Sequence, residues 1–347
     1  MGRIGATSMG SSTLPAPDIS PTNDTVVNET PKRKNSARQI LLNILKIGIS
    51  ITLIYFLLRD TSISEVLAAV KTANVPLLIL AFSLHFIGFL VSAYRWRGLL
   101  RAQSKNASIR YLMQSYIVSA FFNNFLPSTI GGDAIRAYDS WKLGQTKSEA
   151  VAVVFVDRFL GILVLMLFAV VAVLFSPQLT ENVPSLYLWV GLGTFAVVVV
   201  GWLIFVPSQW MPKLLQKLPI PGKIKEKLLS ILSAFLAFQG KKQVLTIALI
   251  WSVILQVNVV FHHFLISEAL GLQIPLAAFF LIVPLATFIM MIPISINAIG
   301  VRESVFVLFF SAYAISSSEA IAFSWIIYGM VLILGVIGGI TYALRRQ

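Results

Sequence analysis

The chain has 347 residues, 57% of them hydrophobic and 12% charged, and carries a net charge of +13 at neutral pH. Those proportions exclude an ordinary water-soluble domain of this length, because too few polar side chains remain to cover its surface. Nucleic-acid binding is not expected, since the basic residues lie between apolar runs and not on one folded face; with no cysteine there is no disulfide framework, thiolate metal site or thiol nucleophile.

Residues 1–39 are rich in Ser, Thr, Pro and Asn and contain no apolar core segment, which predicts a disordered cytoplasmic tail closing on the basic cluster Lys32, Arg33, Lys34 and Arg38. A spanning helix needs about 20 mainly apolar residues to cross about 30 Å of hydrocarbon. Six segments satisfy this: 40–58, 75–94, 151–175, 186–206, 244–266 and 320–344. Two further apolar stretches, 111–130 and 274–316, are interrupted by Pro and Gly. The predicted fold class is therefore an all-α polytopic bundle of about six to eight spans, occupying 40–345.

Orientation follows from Lys and Arg, which accumulate in cytoplasmic loops. With the N-terminus inside, the segments 1–39, 95–110, 131–150, 207–243 and 345–347 are inner and hold 22 of these residues, against two, Arg59 and Lys71, in outer loops. Both termini are then expected in the cytoplasm of a multi-pass cell-membrane protein. The basic loops flanking 111–130 both fall inside, so that segment should enter and leave by one face, as a re-entrant hairpin. Segment 274–316 admits either two spans or a second hairpin. Loop 207–243, with Lys213, Lys217, Lys223, Lys225, Lys227, Lys241 and Lys242 among apolar residues, reads as a basic amphipathic or connecting element.

The interrupted stretches resemble each other: FFNNFLPSTIGGDAIRAY at 121–138 and IMMIPISINAIGVRESVF at 289–306. Each has an apolar run, a Pro, a polar stretch, Gly, and then a basic and an acidic residue. This predicts an inverted repeat with halves 40–175 and 186–345, and broken helices in matching positions mark the central site of a transporter. Pro127, Gly131, Gly132, Pro293 and Gly300 are the expected breaks, Asn123, Asn124 and Asn297 the expected cavity lining. A helix starting inside the membrane would offer free N–H groups to an anion.

Ionisable side chains at membrane depth usually face a cavity or a partner. Asp133 and Arg136 are spaced to share a helix face. The neighbours Asp157–Arg158 and Arg302–Glu303 point about 100° apart on a helix and need partners elsewhere. The arginines Arg136, Arg158 and Arg302 are expected around one polar cavity, with Asp133, Asp157 and Glu303 limiting its charge, because a guanidinium fork suits phosphate. His85, His262 and His263 show no metal-binding spacing, and neither metal nor cofactor is expected. Gly335 and Gly339 form a small-residue stripe suited to packing or to a homodimer face.

On YRWRGLLRAQ at 94–103, NNFLPSTIGGDAIRAYDSWKLG at 123–144, VVFVDRFLGILVL at 153–165 and IPISINAIGVRESVFVLFF at 292–310, the chain resembles the lysylphosphatidylglycerol synthase transmembrane-region family, also called flippase-like domain proteins. The resemblance covers about residues 40–345. It implies a polytopic domain that moves lipids between leaflets. Bifunctional members carry a soluble aminoacyl-transfer domain after the membrane part; this chain ends at Gln347 without one, so aminoacyl transfer is not expected. Ser295-Ile296-Asn297-Ala298 departs from relatives that have more Gly there.

The leading expectation is thus a translocator of an anionic or phosphate-bearing lipid, a phospholipid or a polyprenyl-phosphate lipid, without nucleotide hydrolysis. The alternatives are a membrane glycosyltransferase or an accessory subunit acting on polyprenyl-phosphate or envelope glycolipids, and a small-solute transporter. The short outer loops, with acids only at Asp60, Glu65, Glu181, Glu268 and Glu319, disfavour the enzyme.

Overall fold

The computed structural model describes residues 62–125, 131–175, 186–205, 221–292 and 294–345, with isolated positions at 2, 48, 52, 55, 59 and 217. The expected tail 1–39, most of the span 40–58, and Pro127 and Pro293 lie outside the described residues. The described chain is helical: α1 (Ile63–Thr72), α2 (Val75–Ala102), α3 (Ile109–Phe125), α4 (Gly131–Lys142), α5 (Lys147–Phe175), α6 (Leu186–Phe205), α7 (Gly222–Leu236), α8 (Lys242–Ala269), α9 (Leu276–Met291), α10 (Val301–Ser311) and α11 (Ser317–Leu344). Helices α2, α5, α8 and α11 are long and apolar enough to cross a membrane. Helix α6 carries a shorter apolar stretch, Val190–Val199.

Local chemistry sets the helix starts. Asn74 accepts from Leu77 N at the head of α2, where Pro76 falls in the first turn and costs no hydrogen bond. Helices α5 and α11 begin with the same reciprocal cap. Thr146 N donates to Glu149 Oε2 at 2.8 Å while Glu149 N donates to Thr146 Oγ1; Ser316 and Glu319 repeat the exchange at 3.0 and 3.3 Å.

The two halves match element by element. Helices α2, α3, α4 and α5 have 28, 17, 12 and 29 residues; α8, α9, α10 and α11 have 28, 16, 11 and 28. The packing repeats as well. Helix α3 packs on α11 and its counterpart α9 on α5; the amphipathic helix before each set, α1 or α7, packs on the last long helix of the other half, α11 or α5. The corresponding helices α2 and α8 run antiparallel along their length: Asn74 N donates to Ala269 O at one end, and the Lys241 ammonium reaches Ala102 O at the other.

Over their described residues, at about 1.5 Å per residue, α3, α4, α9 and α10 each fall short of a 30 Å crossing. Both interrupted stretches are therefore pairs of short helices, and the second arm of the first pair is Gly131–Lys142, inside the segment read from the sequence as loop. The segment 95–110 is also shorter than expected as a loop, because α2 continues to Ala102 and carries Arg95, Arg97 and Arg101. The basic element 207–243 contains α7, docked on α5 and α6 with Phe238 fully buried, so it is a packed connector. The small-residue stripe is filled from within: Gly338 lies against the Ile117 carbonyl and Phe121, Gly335 against Asn124 and Gly339 against the Phe121 ring. Those glycines serve close approach of α3 and α11.

Side chains such as Leu174, Phe195, Ile333 and Ile340 stay more than half exposed, an outward apolar belt that suits lipid and not water. The interior is dense with aromatic rings in the second half, where Phe323 stands 4.9 Å from both Phe306 and Phe310, centroid to centroid.

Candidate functional site

The site begins at Asp157, 1% exposed on α5. Its Oδ1 accepts from Arg95 Nε at 2.5 Å, and its Oδ2 from Arg136 Nη2 at 2.7 Å and from the Tyr116 hydroxyl at 3.2 Å. Arg95 Nη1 continues to Ser252 Oγ at 2.9 Å. The Arg136 guanidinium is stacked on Trp96 and Tyr116, 4.7 and 4.3 Å from their ring centroids. Side chains from three helices thus meet a carboxylate carried by a fourth, and a fifth, α8, joins through Arg95. A buried carboxylate bearing two guanidinium groups is held by charge-assisted hydrogen bonds, while the surplus positive charge must be met elsewhere.

Part of it is met by Asp133 on α4. Its carboxylate accepts from Arg158 Nε at 3.0 and 2.9 Å and lies 3.5 Å from Arg136 Nη1. The sequence neighbours Asp157 and Arg158 therefore take different partners, Arg95 with Arg136 and Asp133 respectively. Arg158 remains half exposed.

Around the second break the backbone turns through left-handed conformations at Asn297 (φ 51°), Ala298 (φ 56°) and Gly300 (φ 82°). Glycine adopts this freely; Ala298 has no such freedom. Asn297 Nδ2 donates to Asn124 O at 2.8 Å, and Asn124 Nδ2 donates to Val331 O at 2.7 Å, tying the two breaks together. Arg302 Nη2 donates to Asn297 O at 2.9 Å, its guanidinium lies 4.8 Å from the Tyr328 centroid, and its Nη1 is buried with no hydrogen-bond partner. Glu303 is not directed at Arg302: its Oε2 accepts from Gly300 N at 2.6 Å.

One N–H at each break is taken up inside the protein. Asn123 Oδ1 accepts from Gly132 N at 2.8 Å, just as Glu303 holds Gly300 N. An added Cβ at Gly132 would come within 2.7 Å of Ser119 O and Asn123, which explains a glycine there. Gly131 opens the same helix. At these two positions a backbone N–H is already engaged inside the protein, and the cavity-lining arginines are further donors.

Two cavities border the network. The first, about 390 Å³, is lined by Arg95, Arg136, Asp157 and the three histidines among others. The second, about 480 Å³, is lined by Asn124, Asn297, Arg302 and Tyr328. Both are bordered by Asn123, Asp133, Arg158 and Val331. Arg136 and Arg302 thus line different cavities, and Arg158 lies on both; Glu303 lines neither.

Sequence reading missed Arg95, which it assigned to a loop, and with it Trp96, Tyr116 and Ser252. A signal existed. His85, Gly88, Ser92 and Arg95 recur at spacings of three, four and three, one polar or small face on an otherwise apolar helix, and all four line the first cavity.

The family model described as the lysylphosphatidylglycerol synthase TM region matches residues 43–339. The chain belongs to that family. As a member of the lysylphosphatidylglycerol synthase TM region family it is a multi-pass helical membrane protein. A UPF0104 membrane protein of Pyrococcus horikoshii is 24% identical over 302 residues, covering 80% of this chain and 89% of the relative. A UPF0104 membrane protein of Methanothermobacter thermautotrophicus is 30% identical over 105 residues, 30% of this chain and 29% of that one.

Proposed function

We propose that this protein moves a lipid with an anionic, phosphate-bearing headgroup between leaflets of the cell membrane, with both termini cytoplasmic. The headgroup would pass through the two adjoining cavities while the acyl chains remain in lipid. The observation that carries the reading is Arg302 Nη1, a buried guanidinium nitrogen without a partner beside a cavity that Arg158 also lines. A guanidinium presents paired donors matched to phosphate oxygens, and an unpaired buried donor is costly unless a ligand or water meets it. Family membership and the matched, antiparallel halves support the same reading, because transporters place their sites between inverted repeats. A phospholipid and a polyprenyl-phosphate lipid share the chemistry invoked.

The test is leaflet exchange in proteoliposomes. A fluorescent phosphatidylglycerol should be exposed to an external quencher faster with protein than without, and Arg302→Lys should slow the exchange about tenfold at equal incorporation, since Lys keeps the charge and loses the fork. Normal exchange by Arg302→Lys and Arg158→Lys alike would rule out bidentate phosphate recognition; no exchange of any anionic lipid by the parent protein would rule out translocation.

A further inference from the structure

The chain contains three histidines, and all three line the first cavity. His85 comes from α2, and His262 and His263 from α8; the His85 and His262 rings stand 4.3 Å apart, and those of His262 and His263 5.3 Å. His262 is 6% exposed, and its Nδ1 is 2.8 Å from Ala81 O. A carbonyl oxygen only accepts, so Nδ1 carries the proton, and the neutral ring holds its lone pair on Nε2. That nitrogen is buried and has no partner. Among the described residues no group of side chains is placed to hold a metal ion, and hard cations take oxygen ligands. Imidazole is, however, the side-chain base that exchanges protons near neutrality.

The charges around the cavity set when a proton is welcome there. Arg95, Arg136 and Arg158 border it against two carboxylates, Asp133 and Asp157, leaving one positive charge in excess, and Arg302 borders the adjoining cavity. Of the other helices packed on α8, α9 has no ionisable side chain, and Glu319 of α11 caps its own helix start. Lys242 and Glu268 of α8 itself are exposed. In the empty cavity the excess opposes a further cation. A phosphodiester brings one negative charge and cancels that excess, so anion and proton each bind better when the other is present. A protonated Nε2 also gives the phosphate a charge-assisted hydrogen bond. A second imidazolium in the same cluster is opposed by the first, which limits the three rings to one proton.

Resting on the reading that a phosphate headgroup occupies these cavities, we infer that the protein is a proton–lipid symporter, carrying one proton on His262 Nε2 with each phosphate-bearing headgroup. The N–H bond forms with a proton from the water on the side of entry and breaks to water on the side of release. A phosphodiester headgroup and its proton are together neutral. Empty and loaded cavities then carry the same charge, and the membrane potential, which acts fully on a bare anionic headgroup, does not drive the exchange.

Full-length protein in detergent is titrated calorimetrically with dihexanoyl phosphatidylglycerol, a diester that takes up no proton near neutrality, in Tris and in HEPES at the same pH. Proton uptake by the protein makes the binding heat differ between the buffers. The difference should correspond to about one proton per lipid, and affinity should rise by up to about tenfold for each unit fall in pH. His262→Gln keeps an acceptor and takes no proton, so its binding heat should be the same in both buffers; His85→Gln should keep the difference. In proteoliposomes of the parent protein, a fluorescent phosphatidylglycerol should accumulate in the leaflet facing the more alkaline solution, and a potassium diffusion potential should leave its distribution unchanged. These parent measurements are decisive even where a variant fails to fold. Lipid binding with equal heats in both buffers and an affinity unmoved by pH overturns the inference and leaves the anion site standing. A buffer difference that survives in His262→Gln overturns the assignment to His262. A lipid distribution that follows the potential and ignores the pH gradient overturns symport. Failure of the lipid to bind at any pH removes the anion site itself, and the inference with it.

Discussion

Asp157 and Arg158 are adjacent in sequence and differ sharply in what they do for stability. Asp157 neutralises Arg95 and Arg136 in a region nearly closed to solvent. Asp157→Asn keeps the shape but leaves two buried guanidinium groups with no full counter-charge, and should destabilise the protein by about 3–5 kcal/mol, the usual result of removing one partner of a buried pair. Thermal unfolding in detergent measures it. Arg158 is half exposed, and its pairing with Asp133 is screened, so Arg158→Ala should leave the unfolding midpoint nearly unchanged while impairing lipid exchange. A drop in stability as large as that of Asp157→Asn would show that Arg158 is structural. Ala298 pays a conformational cost for its positive φ. Ala298→Gly should relieve strain of about 1–2 kcal/mol, partly offset by the extra freedom of glycine in the unfolded chain, giving an equal or higher midpoint.

At the scale of elements, the proposed path depends on short helices beside the cavities and on the neighbours that hold them there. Helix α3 is kept at depth by its approach to α11, where Gly338 meets backbone atoms at Ile117 and Phe121 and cannot accept a Cβ without parting the helices. Gly338→Ala should lower stability by about 1–3 kcal/mol, as overpacking does. Gly329→Ala, on the same helix with nothing within 4 Å, should be neutral or stabilising because alanine is the better helix former. Similar effects at the two positions would mean that α3 and α11 are not in tight contact. Helices α1 and α7 hold corresponding places, and the link from Ser318 Oγ to Glu65 Oε2 at 2.8 Å fastens the first of them to the start of α11.

For the whole molecule, the arrangement rests on direction: if the halves are inverted, the ends of α2 and α4 share a face, and the start of α11 lies on the other. A chain without cysteine makes this measurable, provided that exposed positions are chosen; Ser140 is fully buried and unsuitable. Asn106→Cys and Lys142→Cys, both at exposed positions, should react with an impermeant maleimide only after cells are opened, and Ser317→Cys in intact cells. Labelling of Lys142→Cys from outside would end the re-entrant arrangement of α3 and α4.

The sequence by itself determined the solvent, the all-helical class, the long helices α2, α5, α8 and α11, and the two interrupted stretches. Each follows from a local quantity: hydropathy over about 20 residues, the count of Lys and Arg, or the φ preferences of Pro and Gly. The matched caps Thr146–Glu149 and Ser316–Glu319 were also legible as a repeated Ser/Thr-x-x-Glu. Pairing was not. Nothing in the order of residues tells that Asp157 binds Arg95, 62 positions away, and Arg136, rather than its neighbour Arg158. Nor does it tell that Glu303 caps a backbone N–H and leaves Arg302 Nη1 bare, or that three histidines from two helices meet at one cavity. Charges and hydrogen-bonding groups are set by residue type, but their energies depend on distance and on exclusion of water, and both are decided only when the helices close on one another.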